Sequence, residues 1–192
     1  MRRKLSSLLL VGTMIAVATS ARPLAAQNTP SLDVALTYNA TLSNSTNSSH
    51  FWMQGGSVQL HGQFYRGLGV VAEVAGMHIG NINSSGVGLG LVTATFGPRY
   101  TWSPSHSRYS LFGQALLGEA NGFNGVLPAA GGATDSSNSF AVQAGGGLNV
   151  KLSPRIALRA CEANWLRTQL PNGTTNVQNF LRLGAGLVVR FK

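Results

Sequence analysis

Residues 179–192 read NFLRLGAGLVVRFK, and the fold turns on this tail. Leu181, Leu183, Ala185, Leu187, Val189 and Phe191 share one parity; Arg182, Gly184, Gly186, Val188 and Arg190 share the other. Successive side chains of a strand point to opposite faces, so the tail predicts a strand with one apolar face. What that face meets depends on the other segments.

The same period recurs seven times upstream, over about 31–42, 54–66, 68–79, 87–102, 108–120, 138–151 and 155–168. In the first, Leu32, Val34, Leu36, Tyr38, Ala40 and Leu42 oppose Asp33, Ala35, Thr37, Asn39 and Thr41. In the second, Val58, Leu60 and Phe64 oppose Gln59, His61, Gln63 and Tyr65. The third sets Val70, Ala72 and Val74 against Val71, Glu73 and Ala75, and the fourth sets Val92, Phe96, Tyr100 and Trp102 against Thr93, Thr95 and Arg99. Between the segments, polar stretches such as NSTNSSH, NINSSG and QLPNGTTN alternate with short turns at Arg66-Gly67, SPSHS and LSP. A longer Gly-, Ala-, Asn- and Ser-rich loop is expected at 121–137. Eight antiparallel segments with connections alternately long and short predict an all-β, eight-stranded up-and-down transmembrane β-barrel, its short turns periplasmic and its long loops outside. Strands of about ten residues suit a tilted crossing of a bilayer.

Two features choose between lipid and water for the apolar face. A soluble barrel holding a small apolar ligand would present Lys and Glu to water, whereas the polar set here is mainly Gln, Asn, Thr, Ser and Gly. Such a set suits a narrow, filled interior, which is what eight strands leave. Aromatics also gather at the strand ends: Tyr65, Tyr100, Trp102, Tyr109 and Phe191 near the short turns, and Phe51, Trp52, Phe140, Trp165 and Phe180 near the long loops. Two such bands fit interfacial girdles, although Tyr65 lies on the inward parity.

The seventh segment breaks parity, because Arg159 and Glu162 are three residues apart. A charge facing lipid is costly, so a β-bulge near 159–161 is expected, turning Arg159, Glu162 and Asn164 all inward. The interior then holds Asp33, His61, Glu73, Arg99, Arg159, Glu162, Arg182 and Arg190, which require mutual pairing. A closed network plugs the barrel; a rearranging one would open a narrow, porin-like channel for passive transport.

The first 26 residues carry the marks of a secretory signal peptide: a basic MRRK, the apolar LSSLLLVGTMIAVAT, and small residues in PLAAQ with cleavage after Ala26. The barrel domain is then 27–192. Of the 14 basic residues, Arg2, Arg3, Lys4 and Arg22 fall in that leader, leaving ten basic against five acidic residues. The ten are scattered, so nucleic acid is not an expected partner. Cys161 is the single cysteine, which removes an internal disulfide and reads as a packing residue.

Catalytic chemistry finds little footing. His50, His61, His78 and His106 are the four histidines. His106 sits in a turn with no carboxylate near it, and His61 shares the inward face with Glu73 as a hydrogen-bonding group. GVGLGL and AGGGLNV lack the strand-to-helix context of phosphate loops. Neither an enzymatic activity nor a cofactor or metal is expected.

The leader, the eight alternating segments, ALRACEANWL and the closing NFLRLGAGLVVRF together resemble small bacterial outer-membrane β-barrel proteins of the OmpA/OmpX-like type. The resemblance covers most of the mature chain. It implies a monomer in outer-membrane lipid, delivered by periplasmic chaperones and inserted by the barrel-assembly machinery. It also implies that Leu187, Val189 and Phe191 form the C-terminal assembly signal. Lys192 departs from the usual aromatic ending, and the peptidoglycan-binding domain of full-length members is not expected. The function so implied is structural or surface contact through the loops.

Overall fold

In the computed structural model the alternating segments are eight strands, with residues 31–44, 50–82, 88–104, 106–129, 132–171 and 176–191 described. The signal peptide, its cleavage site, Lys192 and much of the three polar loops 44–50, 81–86 and 169–176 lie outside those residues. The strands are β1 (Ser31–Asn44), β2 (His50–Tyr65), β3 (Leu68–Ile79), β4 (Leu89–Trp102), β5 (Tyr109–Ala129), β6 (Gly132–Lys151), β7 (Ile156–Thr168) and β8 (Gln178–Phe191). Each pairs antiparallel with its neighbour in sequence, and β8 closes on β1 from Leu32↔Phe191 to Ser43↔Phe180. Closure leaves no free edge in the wall of the barrel.

The short turns have specific local causes. At the β2–β3 turn, Arg66 and Gly67 both take positive φ, 36° and 90°, the geometry of a two-residue hairpin turn whose twist matches its strands. A Cβ on Gly67 would lie 2.3 Å from the Thr101 carbonyl oxygen, so backbone of the next hairpin also requires glycine there. The Thr101 amide donates to the Gly67 carbonyl at 2.7 Å. At the β6–β7 turn, Ser153 Oγ accepts from the amides of Arg155 and Ile156.

The parity of the wall follows the sequence with local corrections. Leu36, Leu60, Val74, Val92, Phe96 and Leu187 all point outward and stay exposed. The expected bulge is present in β7: pairing with β8 shifts between Arg159 and Glu162, and Arg159, Glu162 and Asn164 are buried while Ala160 and Cys161 both face out. Cys161 therefore belongs to the outer surface and not to an interior packing cluster. A second irregularity, between Gln63 and Tyr65, turns Tyr65 outward beside Phe64, against its parity.

The loop expected at 121–137 is largely a strand pair. The β5–β6 ladder continues to Ala129↔Gly132, well beyond the last β4 partner (Gly90↔Phe123) and the last β7 partner (Ala141↔Thr168). Beyond those partners the ribbon has no wall strand on either edge to impose alternation on its sequence, and polar cross-strand contacts such as Asn121 Nδ2 to Asn138 Oδ1 hold its base. Its ladder is interrupted between Phe123 and Leu127, where Asn124 takes a φ of 56°.

Candidate functional site

The interior is stratified along the barrel axis. Its middle is a polar network with Gln59 of β2 at the centre. Gln59 Nε2 donates to Glu162 Oε1 at 2.8 Å and to Glu73 Oε2, and its Oε1 accepts from Arg159 and Arg99. Glu162 pairs with Arg159 at 2.7 Å, both side chains being almost wholly enclosed. Glu162 Oε1 also accepts from Asn164 at 2.8 Å and from Gln114 at 3.3 Å. Glu73 pairs with Arg182 and accepts from Gln143 at 3.3 Å. Charges taken out of water need this density of partners, because a lone buried ion costs several kcal/mol.

Like-charged Arg99 and Arg159 sit on one further partner. Both guanidiniums lie over the ring of Phe112, 4.4 and 4.6 Å from its centroid. The negative ring face attracts each of them. Arg99 also donates through Nε to Gln114 Oε1 at 2.9 Å, and Arg159 through Nε to Asn149 Oδ1 at 3.1 Å. Glycine makes room for the amides: a Cβ on inward-facing Gly184 would lie 2.4 Å from Asn39 Oδ1.

Toward the short turns, Asp33 Oδ2 meets His61 Nδ1 at 3.4 Å. His61 therefore faces Asp33, its register partner on β1, instead of the expected Glu73, which Gln59 occupies. Arg190 is opposite Asp33 in the β1–β8 ladder but forms no ion pair with it. Of the eight expected network residues, Glu73, Arg99, Arg159, Glu162 and Arg182 come together in the middle, while Asp33, His61 and Arg190 form a separate group below them.

Toward the long loops, the expected polar filling gives way mainly to apolar side chains, with Thr41 Oγ1 meeting Met77 Sδ at 3.0 Å. Phe51, Met53, Met77, Leu91, Leu166 and Phe180 form a buried apolar cluster across the lumen. Phe51 and Phe180 were expected in the outer girdle. They are 8% and 1% exposed, because Trp52 and Leu181 take the outward positions beside them. The other aromatics of the two bands, Trp52, Phe140 and Trp165 above and Tyr65, Tyr100, Trp102, Tyr109 and Phe191 below, are exposed on the outside.

Alternation alone puts Gln59, Gln114 and Gln143 on one parity with the other inward polar residues and does not distinguish them from filler. Their role depends on height along the axis, which the strand register sets and alternation alone does not disclose. Phe112 shares the parity of Gln114, but nothing local in the sequence marks it as a seat for two arginines.

No protein-family model and no curated protein sequence matches this chain. Solved structures do. Neisserial surface protein A superposes with a TM-score of 0.64 over 83% of this chain and 97% of that one, at 15% identity. The fold is that of a small outer-membrane β-barrel. Ail, the attachment invasion locus protein of Yersinia pestis, gives a TM-score of 0.54 at 16% identity, covering 84% of this chain and 98% of its own. The outer membrane protein OprG from Pseudomonas aeruginosa gives 0.52 at 8% identity, covering 84% and 95%. At these identities the likeness is one of fold.

The outer face agrees with that fold. A continuous band of exposed Leu, Val and Phe, bounded above and below by Trp and Tyr, is far larger than the apolar patches water-soluble monomers carry. It is the reverse of a soluble ligand-binding barrel. Among the described residues, no three His, Cys, Asp or Glu side chains are grouped to hold a metal ion.

Proposed function

We propose that this protein is a closed, non-conducting barrel of the bacterial outer membrane that holds the β5–β6 ribbon and the long loops at the cell surface for structural or contact roles. The observation that carries this reading is the double occlusion of the lumen, by the Gln59-centred network and by the apolar cluster above it. A hydrated ion would have to displace paired charges and then cross a layer packed mainly with apolar side chains. Exposed strands and loops on a rigid scaffold are where contacts with other molecules concentrate. On the same reading the protein is a monomer in outer-membrane lipid, brought there by periplasmic chaperones. The outward-facing Leu187, Val189 and Phe191 on the closing strand are what the barrel-assembly machinery engages.

Recording from planar bilayers tests the reading. The parent protein is expected to show no discrete conductance steps, and Arg182→Ala none either, because the apolar layer remains. Regular unitary steps in the parent would overturn the closed barrel in favour of a narrow channel.

A further inference from the structure

Below the charge network, a cavity of about 200 Å³ lies among the short-turn ends of the strands. Its wall includes the cationic side chains of Arg99, Lys151, Arg159 and Arg190 against one carboxylate among the described residues, Asp33, whose Oδ2 meets His61 while its Oδ1 has no partner. We propose that this cavity is a binding site for a small phosphate-type oxyanion reached from the periplasmic side.

The distribution of hydrogen-bond donors supports this. Arg99 and Arg159 spend Nε and one terminal nitrogen each on Gln114, Asn149, Gln59 and Glu162, and the remaining terminal nitrogen of each bonds to no described residue. Arg190 is less committed still: its side chain makes no hydrogen bond or ion pair with a described residue, and its buried Nε has no acceptor. Lys151 is exposed at the end of β6. Guanidinium groups match the planar edge of a phosphate or carboxylate, and Lys supplies a point charge. Glu162 neutralises Arg159 from behind, so the surplus at the cavity rests on Arg190, Lys151 and Arg99. The low-dielectric wall makes that surplus count for more than it would in water. The network and the apolar cluster close the far end, which makes the site a blind vestibule and not a stage in a passage.

Such an oxyanion has two sources, a free periplasmic solute or the headgroup of an inner-leaflet lipid. Isothermal titration calorimetry on the folded full-length chain in nanodiscs at low ionic strength, with inorganic phosphate as the probe, tests the site. The expected result is saturable one-site binding, weakened at least about tenfold by Arg190→Gln, the size of one charge-assisted hydrogen bond. Lys151→Gln, at an exposed strand end, is expected to weaken it in the same direction, and Arg167→Gln on the outer face near the long loops to leave it unchanged. Unheated gel migration checks that each variant is folded. A parallel titration with water-soluble, short-chain phosphatidic acid separates the sources: tighter binding than inorganic phosphate assigns the site to lipid headgroups, equal or weaker binding to a free solute. Absence of saturable phosphate binding in the parent, or binding that ignores both Arg190→Gln and Lys151→Gln, would overturn the proposal.

Discussion

Replacing Glu162 by alanine is expected to lower folding stability by about 3–5 kcal/mol, the cost of stranding a buried cation. Glu162 is 2% exposed and accepts from Arg159, Gln59, Asn164 and Gln114. Its removal leaves Arg159 over Phe112 with Arg99 close by and no counter-charge in contact. The same principle supplies the control. Replacing both partners, as Arg159→Met with Glu162→Leu, removes the charge together with its counter-charge, and is expected to recover more than half of the loss. Urea unfolding from lipid vesicles, read as midpoint and slope, measures both variants. Equal losses in the single and the paired variant would mean that packing around β7, and not charge compensation, is what Glu162 provides.

Val74→Arg is expected to cost about 2–4 kcal/mol in the same assay, against about 0–1 kcal/mol for Trp102→Arg. Both residues face outward, at 56% and 51% exposure, so neither substitution fills a core. They differ in height. Val74 lies mid-strand in β3, paired with Val58 and Ala94, and Trp102 ends β4 at a short turn. An arginine at the hydrocarbon midplane must drag water or headgroups inward, whereas one at the interface reaches the headgroups directly. Water around the barrel would make the two substitutions equally mild, so the ratio between them reports the depth of lipid on the outer face.

Alternation made the wall legible because lipid outside and a narrow lumen inside impose opposite chemistry on neighbouring residues. β1 and β3 follow it residue by residue, and even the β7 bulge was readable, since Arg159 and Glu162 had no other way to share one side. Where the two solvents are alike, the code fades. The β5–β6 ribbon, which runs past its last β4 and β7 partners, reads as a loop. The upper lumen, mainly apolar inside as well as out, hides Phe51 and Phe180 among residues expected in the girdle. Tyr65 shows a third limit: a one-residue slip in a ladder reverses orientation without changing composition. The division of the charged residues into a central network and a lower group was illegible for yet another reason. It depends on register between strands, as in Asp33↔His61 and Gln59↔Glu73, which each strand's own sequence does not contain.

An outer face with this much exposed Leu, Val and Phe requires lipid around it. Expression of the full chain in a Gram-negative host, followed by envelope fractionation and gel electrophoresis with and without heating, measures this directly. The predicted result is a protein in the outer-membrane fraction, released only by detergent, whose unheated folded form migrates differently from the heated one. Recovery as a folded, soluble periplasmic monomer without detergent would contradict it.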